Sequence, residues 1–179
     1  LSIKTVFILA GFGLLTILYA IPFLSGFQKN LRNISYLKIV VVALVWAGVT
    51  VVVPVFDSYD IVDYSTISLQ FSQRFLLVCL LILPFDIRDI KYDAISLQTI
   101  PRKIGIQNTK KLGFVLLLFA LVIEFLISNQ DVSKNIFLGF SFLILFFLMR
   151  AKENQSNYYS SFWVESLPIF WWISLLIIP

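Results

Sequence analysis

The chain has 179 residues and a net charge of +4; 59% of its residues are hydrophobic, and its mean hydropathy is +0.92. That balance excludes an ordinary water-soluble domain and points to an integral membrane protein. The absence of histidine rules out a Ser-His-Asp triad and argues against zinc chemistry, and the single cysteine, Cys79, rules out a disulfide framework.

The chain opens at Leu1 inside an apolar stretch with no initiating Met and no signal-peptide pattern, so it reads as a fragment or a processed chain. Thr5 to Phe23 is the first expected span, with Gly11 and Gly13 offering close helix approach and Pro22 near its end. A polar connection carrying Lys29 and Arg32 leads to a second span, Ile34 to Val55, with Lys38 near its start and Pro54 at its end. The β-branched centre of this span would suggest a strand in water, but its length and the bilayer favour a helix.

Asp57, Asp60 and Asp63 follow in a loop without Lys or Arg. Its Ser and Tyr content suits a solvated interfacial turn better than a cation site. The third span, Thr66 to Phe85, contains Gln70, Gln73 and Arg74; the fourth, Leu112 to Ser128, holds Glu124, and the two intramembrane charges either pair or snorkel separately. Asp131 and Lys134 are expected in a short turn before a fifth span, Ile136 to Met149. The sixth, Phe162 to Ile178, offers Trp163, Trp171 and Trp172 as interface or pocket-lining rings, with Glu165 near its start.

The fold class expected is therefore all-α, a single transmembrane helical domain over 1–179 with six spans. Nearly all cations fall on one set of connections, among them Lys29, Arg32, Arg88, Lys91, Arg102, Lys103, Lys110, Lys111, Arg150 and Lys152, whereas the opposite side holds Lys4 and Lys134. The positive-inside rule then puts the 85–105 segment in the cytoplasm and the carboxy-terminus outside, most simply in a bacterial inner membrane. Cations scattered in this way give no nucleic-acid surface.

The segment from Phe85 to Gly105 is the long polar interval of the chain. Asp86, Asp89 and Asp93 stand at i, i+3 and i+7, one face of a helix if the segment is helical. Carboxylates that close repel one another and suit a hard cation such as Mg²⁺, which shares itself with phosphate oxygens. Arg88, Lys91, Arg102 and Lys103 surround them, so a diphosphate is the natural ligand.

At these positions the chain resembles the UbiA family of intramembrane prenyltransferases, whose second aspartate motif is Asp-x-x-x-Asp followed by Thr, Pro and Gly; here Asp89, Asp93, Thr99, Pro101 and Gly105 fit, with Asp86 as the family's earlier acid. Ser96-Leu97 stand where the family tends to carry a Gly. Tyr19 in Leu18-Tyr19-Ala20-Ile21-Pro22, with Lys29 and Arg32 after it, is similar to the family's Tyr and basic residues between helices four and five. The resemblance implies that the six spans correspond to helices four to nine of that fold and that about three amino-terminal helices, with the first aspartate motif, are missing.

It further implies Mg²⁺-dependent transfer of an isoprenyl group from a prenyl diphosphate to a hydrophobic, often aromatic, acceptor among membrane lipids. Asp86, Asp89 and Asp93 would hold the metal, Asp89, Asp93 and Lys103 would serve catalysis, and Arg102, Lys29, Tyr19 and Arg88 would bind substrate. Two alternatives stay open: a non-catalytic lipid-diphosphate-binding relative, and a small transporter using Arg74 and Glu124.

Overall fold

The computed structural model describes residues 2–20, 35–58, 63–91, 99–128 and 130–178. All regular structure among them is helical: α1 (Ile3–Ala20), α2 (Ser35–Ala47) continuing through a π-helical turn (Gly48–Val52) into α3 (Val53–Asp57), α4 (Tyr64–Asp89), α5 (Ile100–Ile104), α6 (Ile106–Ile127), α7 (Asp131–Arg150), and a second π-helical turn (Tyr159–Val164) running into α8 (Glu165–Ile177). Among the described residues five stretches are long and apolar enough to cross a bilayer: Ile3–Ala20, Leu37–Asp57, Tyr64–Asp89, Asp131–Arg150 and Tyr159–Ile177. The expected fourth span falls on α6 and its cap residue Ser128; that helix also carries Lys110, Lys111 and Glu124 and is not one of the five. Outward-facing Phe7, Phe119, Leu126 and Phe142 are each more than half exposed. Water would not tolerate so much contiguous apolar surface, but hydrocarbon solvates it.

The core forms around α4. Leu77, Leu80 and Leu83 on its buried side meet Leu117 and Ala120 of α6, Phe137, Ile144 and Leu148 of α7, and Val164 and Leu167 at the start of the last helical stretch. Gly113 lets α6 approach: a Cβ there would lie 2.4 Å from Leu148 Cδ2 and 3.0 Å from Leu80 Cδ1. The close approach of α1 is likewise made by a glycine, but not the expected one. Gly48 receives the Phe12 ring, whose Cζ would stand 2.0 Å from an added Cβ, whereas Gly11 and Gly13 have nothing within 4 Å of that position.

Prolines divide the long helices into two groups. The three rods containing α2/α3, α4 and α8 carry Pro54, Pro84 and Pro168, while α1, α6 and α7 contain none. A proline cannot donate to the carbonyl four residues back, and its ring crowds that turn. For Pro54 and Pro168 those carbonyls belong to Thr50 and Val164, and both lie in the π-helical turns, the wider winding by which a helix absorbs such a defect. At Pro84 the carbonyl oxygen accepts a bond from Gln155 Nε2 at 2.9 Å, which ties the 151–158 connection to α4.

Three boundaries differ from expectation. Asp131 and Lys134 belong to the first turn of α7, 3.5 Å apart as an i, i+3 pair, because an acid is favoured at a helix amino-terminus. Helix α4 extends to Asp89 rather than stopping at Phe85, so two motif acids sit on a rigid rod. In the acidic stretch, Asp57 Oδ1 accepts from Ser2 N at 3.0 Å and Thr5 Oγ1 at 3.2 Å, anchoring the start of α1. Asp63 precedes α4, and the Ser65 hydroxyl bonded to it holds its carboxyl below the usual range. Asp60 lies outside the described residues.

Candidate ligand cavity

The three proline-bearing rods, with Phe140 of α7, line a half-open cavity of about 830 Å³, within the range of about 300–1,000 Å³ usual for small-molecule sites. The second rod lines it with Lys38, Val42, Trp46 and Thr50, one residue per helical turn. Helix α4 contributes Arg74, Leu77, Val78, Leu81, Ile82, Phe85 and Asp89, and the last rod contributes Val164, Glu165, Pro168, Trp171, Trp172 and Leu175. From Asp89 to Arg74 the wall extends through fifteen residues of helical rise, about 22 Å. Ionic groups stand at the two ends of an apolar trough.

At the Asp89 end the charges are arranged in pairs. Asp86 is only 1% exposed, and its Oδ1 accepts from Lys38 Nζ at 3.1 Å across the α2–α4 contact. Asp89 Oδ1 accepts from Arg88 Nε at 2.7 Å, and Arg88 Nη1 reaches Ser161 Oγ at 3.2 Å, joining α4 to the π-helical turn before α8. Arg102 Nη2 donates to Ile90 O at 2.6 Å, which folds the short α5 back against the end of α4. Thr99 precedes α5, its carbonyl accepting the amides of Arg102 and Lys103, and Gly105 follows with φ 81°, a conformation that glycine adopts without strain.

The structure thus gathers Asp86, Asp89, Arg88 and Arg102 around one helix end. Lys103 is exposed on α5, and Tyr19 sits in the last turn of α1 away from the cavity wall. Lys29 and Asp93 lie outside the described residues. Among the described residues no three acidic or thiol side chains come close enough to hold a metal. The donors nevertheless fit a hard divalent ion in kind, being two carboxylates one turn apart, one of them on the cavity wall.

At the opposite end, the Arg74 guanidinium lies 3.9 Å from the centre of the Trp171 ring, which itself stacks on Phe140 at 4.8 Å. Glu124 acts on it by charge without a hydrogen bond; its Oε2 accepts from Gln73 Nε2 at 2.7 Å, and the same amide nitrogen reaches Ala120 O at 3.3 Å. Trp171 and Trp172 line the cavity, whereas Trp163 packs edge-on against Phe162.

Sequence reasoning placed no role on Lys38 beyond topology and none on Glu165. The signal for Lys38 was present: it starts the i, i+4 series Lys38, Val42, Trp46, Thr50, a single stripe facing one neighbour. Comparisons with protein-family models, curated proteins and solved structures gave no match.

Proposed function

We propose that this chain is a UbiA-like membrane protein that binds an isoprenyl diphosphate with its tail in the cavity and its head at the Asp89 end, and transfers the isoprenyl group to a hydrophobic acceptor. The observation that carries this reading is the apolar trough with an acid and a base, Asp89 and Lys38, at one mouth. Leu77, Val78, Leu81 and Ile82 would cover the tail and exclude water from the reacting carbon. Lys38, Arg102, Lys103 and Lys29 would offset charge on the departing diphosphate, while Asp89, with Asp86 and Asp93, would hold Mg²⁺. The metal would supply Lewis-acid assistance to the leaving group. In balance, the allylic carbon–oxygen bond breaks with its electrons going to diphosphate, a carbon–carbon bond forms to the acceptor, and the acceptor releases a proton. The proposal includes Leu112–Ser128 as a sixth span and a cytoplasmic Asp89 end in a bacterial inner membrane.

The test is Mg²⁺-dependent binding of a radiolabelled isoprenyl diphosphate to the detergent-solubilised full chain, comparing wild type with Asp89→Asn and Asp93→Asn. Loss of the metal-dependent component in both variants is expected; binding indifferent to both substitutions overturns the reading. A second reading, a binder without catalysis, is favoured by one observation: Asp86 and Asp89 each already have a cation against them, Lys38 and Arg88. Metal-dependent binding without turnover of any aromatic acceptor would select it.

A further inference from the structure

A second pocket, open and about 660 Å³ in volume, lies outside the trough where α6 begins and α7 ends. The opening of α6 lines it with Gly105, Gln107 and Lys110, and the connection after α7 lines it with Ala151, Lys152 and Glu153. Two ammonium groups from different elements therefore face one space. Lys110 Nζ directs one N–H to Met149 O at 2.6 Å, which holds it at the end of α7 and leaves two N–H groups for the pocket. Partial burial and the Lys152 charge both hold the Lys110 ammonium below its usual pKa, so the two cations repel each other. Among the described residues Glu153 makes no ion pair with either, and the three charges sum to one positive in excess.

Apolar surface continues from these charges. Phe114 stands one turn from Lys110 on the same face of α6, Met149 lies in the last turn of the membrane-crossing α7, and each is 42% exposed. Arg150 closes α7 with its guanidinium 5.4 Å from the centre of the exposed Phe146 ring. Cations above exposed rings match a phospholipid, whose headgroup and chains use both, better than a soluble phosphate, which uses only the cations.

We propose that this pocket binds the headgroup of an anionic phospholipid, its phosphodiester between Lys110 and Lys152 and its acyl chains along Phe114 and Met149. The phosphodiester carries one negative charge, which balances the one in excess, and lysine serves phosphate as a point charge. The inference depends on neither magnesium nor group transfer, nor on which leaflet the pocket meets.

The experiment measures binding of radiolabelled phosphatidylglycerol, and of phosphatidylcholine with the same chains, to the full chain in detergent, for wild type, Lys110→Gln, Lys152→Gln and Lys4→Gln. Phosphatidylglycerol should bind the wild type more tightly than phosphatidylcholine, and its affinity should fall about fivefold in Lys110→Gln and in Lys152→Gln, with phosphatidylcholine unchanged. Lys4→Gln, an exposed lysine on α1 outside the pocket, should bind as wild type does. Inorganic phosphate in large excess should not displace the lipid. Should Lys110→Gln fail to fold for want of its bond to Met149 O, the exposed Lys152 carries the test. Equal affinity for the two lipids in the wild type, phosphatidylglycerol binding unchanged in folded Lys152→Gln, an equal loss in Lys4→Gln, or displacement by phosphate overturns the proposal.

Discussion

The two ends of the cavity treat charge in opposite ways. At the Asp89 end each acid has a base against it, Asp86 with Lys38 and Asp89 with Arg88, and these pairs join α2 to α4 and α4 to the turn before α8. At the Arg74 end the guanidinium lies on an aromatic face, and the acid near enough to act on it by charge, Glu124 of α6, gives its hydrogen bond to Gln73 instead. Charges in hydrogen-bonded pairs hold helices together, whereas a charge that meets its acid only at longer range contributes less to the fold. The comparison therefore separates residues whose loss should cost much stability from residues whose loss should cost little.

The largest effect is expected at the buried pair. Lys38→Met removes the cation against the buried Asp86 carboxylate, and unfolding in detergent should show a loss of about 3–5 kcal/mol, most of which the double variant Lys38→Met with Asp86→Leu should recover. If Lys38→Met is as stable as wild type, the pair is not the fastening described. Arg74→Gln removes a cation–π contact and a longer-range attraction to Glu124 but no hydrogen-bonded pair, and the same unfolding measurement should register about 0.5–2 kcal/mol. A loss as large as that of Lys38→Met would mean that Arg74 is structural and would erase the contrast between the ends.

Asp89→Asn breaks a partly exposed pair and should change stability by at most about 1 kcal/mol, even while it abolishes metal-dependent binding. Asp63, outside both ends, supplies the smallest effect. Its carboxyl is held low by the Ser65 hydroxyl, so its contribution is present above the unfolded pKa of about 3.9 and is lost as pH falls through the lower folded value. Melting curves at pH 5 and pH 3 should therefore differ slightly less in Asp63→Asn than in wild type.

Much of this arrangement was legible in the sequence, and what was not has physical reasons. Apolar length located five of the six expected spans as helices able to cross a bilayer, since a helix must satisfy its own backbone in lipid. The paired acids Asp86 and Asp89 were visible as an i, i+3 step, but periodicity could not show that the helix extends through them, because the polar residues there also suit a loop. The partner of Asp86 was invisible because it depends on how α2 packs against α4, which brings Lys38 to it from 48 residues away. Pro54 was read only as the end of a span and Pro168 was not singled out, so the π-helical turns that precede them went unseen. Gly48 was overlooked in favour of Gly11 and Gly13, since a glycine's value as a contact depends on the side chain opposite it. Arg74 and Glu124 were recognisable as costly, but only the fold shows that Gln73 takes the acid and Trp171 the base.

The central claim is that a prenyl tail lies along the trough with its diphosphate at the Asp89 end. An isoprenyl diphosphate carrying a benzophenone at the far end of its tail, irradiated with the protein in the presence of Mg²⁺ and mapped by mass spectrometry, tests it directly. The account predicts label on the far wall, at Leu77, Trp171 or Leu175, displaced by excess unlabelled diphosphate. Label confined to the outward-facing Phe119 and Phe142, undiminished by competitor, would contradict it.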